Sequence, residues 1–176
     1  MNGTEPVPDD ARRLRKVYGA FATGVTVVTV GGAVPHGMTA NSFTTVSLDP
    51  PLVLVCVEHQ AVMHEALRTA GHFGVSVLGA GQAGTARWFA DRSRPLGQEQ
   101  FADVDWHPGR CTAAPLISGA IAYVECELWR AYDGGDHTIF VGRVLRAEHG
   151  VPGEEALLFH GGRFRLVEKA RSEVTV

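Results

Sequence analysis

The sequence predicts a mainly β protein of α+β type, a Greek-key-like antiparallel barrel with short helices at its periphery. Three observations carry this. Six to eight short runs are rich in β-branched and aromatic residues, and most are bounded by Gly, Pro or Asp. Ile121 to Trp129 alternates cleanly and is followed, across Asp133-Gly134-Gly135-Asp136, by a second strand-like run from Ile139 to Leu145, which together predict a hairpin. Helical periodicity is confined to short stretches. Mostly antiparallel strands in such number usually close into a barrel, because closure removes unpaired edges.

Taken in order, Asp9 and Asp10 are placed to cap a helix from about Ala11 to Phe21, with Leu14, Val17, Tyr18 and Phe21 on one face and Gly24 as its stop. Val25 to Val30 is β-branched throughout and predicts a strand, with a turn at Gly31-Gly32. The next strand runs into the segment around Asn41 and is broken by Asp49-Pro50-Pro51, after which Leu52 to Val57 is a buried strand. Val62 to Ala70 predicts a short helix ended by Gly71, Phe73 to Leu78 a strand, and Ala83 to Ala90 a second short helix. Asp91 to Pro115 has weak periodicity and predicts a long surface loop. Leu157 to Phe159 and Phe164 to Val167 are short closing strands around Gly161-Gly162. The expected organisation is a flexible tail over 1–10, a single domain over 11–168 and a second tail over 169–176.

Composition narrows the function. The 176 residues suffice for one domain with a real core, and 45% hydrophobic with 20% charged residues is ordinary for a globular protein. A net charge of −3 argues against a nucleic-acid surface, which needs a basic excess. No run approaches membrane-spanning length, and the polar, acidic start lacks a signal peptide's basic and apolar regions, so a cytoplasmic protein is expected. Cys56, Cys111 and Cys126 have no Cys-x-x-Cys spacing and read as small core residues.

The segment from Gly37 to Pro51 is the most informative. It sets hydroxyl, amide and small residues in an extended run before a sharp turn. Small polar side chains on a strand, with free backbone N–H groups at its ends, suit a planar, heteroatom-rich ligand carrying a phosphate. An edge strand with surface Ser and Thr accounts for the same composition. Other motifs fall away. Gly79-Ala80-Gly81-Gln82-Ala83-Gly84 is a literal G-x-G-x-x-G between a strand and a helix, but Arg92 to Gln100 beyond it has no strand character, so the second parallel strand of a dinucleotide fold is missing. His64-Glu65 begins like a zinc-protease motif, yet Arg68 stands where its second His belongs, and the eight His residues show no metal-ligand spacing. No nucleophile elbow or P-loop lysine is present.

Four blocks, in order, resemble the short-chain flavin reductases, the reductase components of two-component flavin monooxygenases. They are Phe21 to Thr29; Asn41 to Pro51; Gly74 to Leu78 with Gln82 and Trp88-Phe89-Ala90; and Gly135 to Val144. Leu157 to Gly162 matches as well, so the likeness spans about Leu14 to Val167. The resemblance implies an FMN-binding split β-barrel, usually a homodimer, that passes a hydride from NADH or NADPH to FMN or FAD and supplies a partner monooxygenase. It places Thr39, Ala40 and Asn41 at the flavin's ring and ribityl region, Ser42 toward the ribityl–phosphate side, Ser47 at the ring edge, and Cys56 on the adjoining strand. Ser47 and Asp49 serve equally well as turn caps before Pro50. His137 falls where the family places a nicotinamide-nucleotide contact, although a turn histidine in solvent fits the same position.

One departure stands out. Relatives often carry Ser or Thr after the Cys56 strand, beside the flavin phosphate, whereas Glu58-His59-Gln60-Ala61-Val62-Met63-His64 has no hydroxyl. Phosphate binding then falls to His64, to main-chain N–H groups at the following helix N-terminus, or to Arg87, or the flavin is held weakly as a diffusing substrate. FMN versus FAD stays open, and NADH over NADPH rests on family habit. Two other readings remain: a tight flavin-binding carrier or sensor that does not turn over NAD(P)H, and a barrel acting directly on a small substrate.

Overall fold

The computed structural model describes residues 11–167. The capping pair Asp9 and Asp10 and both predicted tails lie outside that range. Helix α1, Ala11–Tyr18, ends earlier than Gly24, and Gly24 instead lies in the short strand β1, Thr23–Gly24. Strands β2 (Thr26–Val30), β3 (His36–Ala40), β4 (Thr44–Leu48) and β5 (Pro51–Glu58) follow, then α2 (Val62–Ala70), β6 (His72–Val77) and α3 (Ala83–Ala90). The remaining strands are β7 (Trp106–Pro108), β8 (Pro115–Ile117), β9 (Ala122–Gly134), β10 (His137–His149), β11 (Leu157–His160) and β12 (Arg163–Leu166).

The protein is mainly β, with few and short helices. Its principal sheet has seven strands in the order β3-β2-β6-β9-β10-β5-β4, and every pairing is antiparallel. Backbone hydrogen bonds do not close it, so the expected edge-free barrel is not formed by pairing: β3 and β4 both remain edges. These edges are nevertheless consecutive in the chain, joined only by Asn41, Ser42 and Phe43. Four extended residue steps reach at most ~14 Å, so the sheet curls until its edges approach at this seam. The expected strand through Asn41 is thus two strands with a break.

Burial explains the rest. All five residues of β2 are buried, as expected of a strand covered on both faces. One apolar cluster joins Val28, Val55, Val57, Phe73, Val75 and Phe140 beneath Met63 and Leu67 of α2; a second joins Val25, Val27, Leu78, Phe101 and Leu157 beneath Ala86 and Phe89 of α3. The i, i+4 spacing of Met63 and Leu67 gives α2 its inner face. Gly71 ends it in the left-handed region at φ 67°, donating its N–H to the Leu67 carbonyl at 3.1 Å.

The β9–β10 hairpin is longer than its alternating core. From Trp129 to Gly134 the strand is exposed and runs past the end of β6, while its β10 partners His137 to Val141 stay paired with β5. Residues 91–115 are less irregular than expected: Gly97–Phe101 forms a 3-10 turn anchored by buried Gln100 and Phe101, and β7 pairs with β8. The G-x-G-x-x-G glycines follow β6, which is antiparallel to both neighbours β2 and β9. Cys126 is buried, but Cys111 is exposed and Cys56 only half-buried, which corrects the core assignment for those two.

Candidate functional site

A cleft of about 500 Å³ opens beside the seam, within the range of ligand-sized pockets. The end of β3 and the seam supply Thr39, Ala40, Asn41 and Ser42, and the end of β5 supplies Cys56 and Glu58. The first residues of α2, the end of α3 at Phe89, the following segment with Arg92 and Arg94, and His137 also line it. Of the residues singled out in the sequence, Thr39, Ala40, Asn41, Ser42, Cys56 and His137 come together here. Ser47, His64 and Arg87 are not among its lining.

Internal bonds fix the seam. The Thr39 hydroxyl donates to the Ala86 carbonyl at 2.7 Å, tying β3 to α3. The Ser42 hydroxyl donates to the Cys56 carbonyl at 3.1 Å and accepts the Cys56 N–H at 3.0 Å, so one side chain stands in for a missing strand partner on β5. With both hydroxyl protons engaged, this wall offers a ligand chiefly oxygen lone pairs and main-chain groups. Burial pushes the Cys56 thiol above its ordinary value, which keeps it neutral.

The three residues outside the cleft have other partners. His64 Nε2 lies 2.8 Å from the Thr138 hydroxyl, and its ring meets Phe140 and His59 edge-on. Desolvation, then the neighbouring His59 and Arg68, hold it below the usual imidazole range. The Arg87 guanidinium stacks over the Phe164 ring at 5.5 Å. Ser47 is paired with Leu52 just past a register shift in the edge strand β4.

The cleft also contains His36, Arg92 and Arg94, which motif reading missed, and Gly37 and Gln100 lie behind this lining. His36 is buried, and its pKa is lowered to about 4 by desolvation and by Arg94, so it is neutral at pH 7. Arg94 donates to the Gly37 carbonyl and, at 2.5 Å, to the Asp91 carbonyl, pinning the segment after α3 against β3. Gln100 accepts the Gly37 N–H at 2.8 Å and donates to the carbonyls of Pro35 and Gly97, each at 3.0 Å. Gly37 is required here, because an added Cβ would come within 2.6 Å of the Phe89 ring. Arg92 pairs with Glu58 across the mouth. The only sequence signal for this wall was the charged run Asp91-Arg92-Ser93-Arg94, which has no period.

Two features suit an anionic, planar ligand. Helix α2 begins at the cleft without a side-chain cap on its first N–H groups, and Ala61, Val62 and Met63 line the opening. At the other end His137 Nδ1 lies 2.6 Å from the Asp136 carboxylate, which the histidine holds below its ordinary pKa. A dinucleotide or flavin phosphate fits the first feature and an aromatic or polar nucleotide group the second.

Comparison with known proteins agrees. An NADH-dependent FAD reductase of Streptomyces globisporus is 60% identical over 158 residues, covering 90% of this chain and 86% of the relative. The reductase subunit of a flavin-dependent monooxygenase from Rhodococcus jostii is 36% identical over 160 residues, covering 90% and 79%. The solved structure of the NADH:FAD oxidoreductase of Streptomyces globisporus in complex with NAD and FAD fragments superposes with a TM-score of 0.89 at 54% identity, covering 97% of this chain and all of that one. The family model described as the flavin reductase like domain matches residues 18–168, and the chain belongs to that family.

Proposed function

We propose that this chain is an NADH-dependent flavin reductase that delivers reduced flavin to a partner monooxygenase. The observation that carries the reading is the single cleft joining the seam, the uncapped start of α2 and His137. When bound together, nicotinamide and flavin supply the hydride donor and acceptor, and the chemistry is theirs. The chain's own residues bind and orient. Thr39 to Ser42 present main-chain groups and hydroxyl oxygens to the ring and ribityl portion, and Cys56 lies beside them as a neutral, half-buried wall. The N–H groups opening α2, with Arg92, hold the phosphate; His64 and Arg87, committed to Thr138 and Phe164, do not. His137, steadied by Asp136, contacts the nicotinamide nucleotide, while Phe89 and Met63 exclude water from the apolar side.

The single domain is a split barrel in this reading, supported by the seam that brings both sheet edges together. It works as a homodimer, supported by exposed apolar groups on the edge strand β4, where Leu48 is 95% exposed and Val46 half-exposed. A cytoplasmic location suits the use of NADH. No helix among the described residues is long and apolar enough to cross a membrane.

The test is NADH oxidation, followed by loss of its near-ultraviolet absorbance, with and without added FMN, FAD or riboflavin. Turnover that requires flavin and saturates with it is expected, and His137→Ala should raise the KM for NADH about tenfold with a smaller change in the KM for flavin, on the scale of one lost polar or stacking contact. NADH left untouched by a protein that retains its flavin would return the carrier reading.

A further inference from the structure

We infer that Glu58 competes with the flavin's phosphate for Arg92, so that the chain carries an internal anion at the mouth of its own cleft and lets flavin exchange readily. The inference rests on the reductase reading and deepens it. Glu58 closes β5, and its carbonyl accepts the N–H of Ala61, the residue that precedes α2, at 3.0 Å. Its carboxylate is therefore rooted beside the positive end of a helix that no side chain caps. Across the mouth it meets Arg92, and both side chains line the cleft.

Two arginines reach this cleft, and they differ in commitment. Arg94 is half-buried and gives both terminal nitrogens to the main-chain carbonyls of Gly37 and Asp91, with its buried Nε left without a hydrogen-bond partner. Arg92 has a side chain 81% exposed, and its carboxylate partner is 36% exposed. An ion pair this open is weak and readily exchanged. A phosphate, with more charge and more acceptor oxygens than a carboxylate, displaces Glu58 from Arg92 but must do so at each binding event. The segment from Glu58 to His64 has no hydroxyl to offset that competition. Weak, exchangeable flavin is what a reductase needs if reduced flavin is to leave for another protein.

The experiment is equilibrium binding of FMN, FAD and riboflavin to the full chain, read by quenching of flavin fluorescence, for wild type, Glu58→Gln, Arg92→Gln and the double variant. Glu58→Gln should tighten FMN and FAD roughly twofold to fivefold, the scale of an exposed ion pair, and leave riboflavin, which has no phosphate, unchanged. In the Arg92→Gln background the same substitution should give no gain. In turnover, Glu58→Gln should lower the KM for FMN together with kcat, as release slows. An equal gain for riboflavin, a gain that survives without Arg92, or no gain for FMN and FAD would each overturn the inference while leaving the reductase reading intact. Failure of the wild-type protein to bind any of the three flavins would overturn both.

Discussion

On one side of the cleft Gly37 is gripped at both its backbone polar groups, its N–H by Gln100 and its carbonyl by Arg94, and the Trp88 indole adds a bond to the Gln100 carbonyl at 2.8 Å. On the other side Glu58 and Arg92 meet in solvent, and His137 leans on the fully exposed Asp136. The first wall is a buried polar network, in which each group lost leaves another unsatisfied. The second is a set of exposed charges that separate at small cost. The contrast suits a site in which one wall sets where a ring lies while the other governs how quickly the ligand comes and goes.

Breaking the rigid wall should have the largest effect. Gln100 is completely buried, and Gln100→Leu strands the Gly37 N–H and removes the partner of the Pro35 and Gly97 carbonyls. The expected loss is about 3 kcal/mol, a fall in Tm of roughly 6–12 °C, measurable by thermal unfolding. A change of a degree or less would mean that this wall is not held as described.

The same wall should make stability depend on pH. His36 takes its proton near 6.5 when unfolded but only near 4 in the fold, because burial and then Arg94 disfavour the imidazolium. Between these values the unfolded chain binds the extra proton. The contribution is therefore complete above about pH 6.5, declines as the pH falls, and is exhausted below about pH 4, with a total of about 3 kcal/mol. Urea unfolding across this window should show a shallower acid decline for His36→Gln than for wild type. Parallel profiles would assign the decline to other groups.

The smallest change is expected at the mouth. Glu58→Gln should leave unfolding stability within ~0.5 kcal/mol of wild type, as for an ordinary surface substitution. A loss approaching that of Gln100→Leu would erase the distinction between the two walls.

Local patterning made much of the fold legible. Helices α2 and α3 lie where apolar spacing and Gly71 placed them, and the β9–β10 hairpin turns where its Gly pair predicted. What escaped was decided by tertiary contact. The exposed end of β9 has no alternating face to betray it, and the segment from Asp91 to Phe101 reads as charge and polarity until Gln100 is seen buried against β3. The cleft followed the same division. Asn41, Ser42 and His137 lie in the matching blocks and Thr39, Ala40 and Cys56 beside them, and all six line the cleft. Ser47 lies within a block and His64 and Arg87 near the blocks in sequence, but Ser47 sits past a register shift in β4, His64 bonds Thr138 and Arg87 stacks on Phe164. His36, Arg92 and Arg94 belong to no motif, and only the folded chain shows why they matter.

The pairing of β5 with β10 also bears on how the protein is made. Leu52 to Glu58 is paired with His137 through Arg143, a partner 79 to 91 residues further along the chain. On the ribosome, β5 and α2 emerge well before β10, the strand that pairs with β5, and such long-range pairing forms slowly. Until β10 arrives, β5 has only β4 beside it, and His137 is not yet in place to complete the cleft. The nascent chain therefore gains its whole cleft only once β10 has been made, and a chain truncated before His137 would have the α2 end of the cleft without the His137 end.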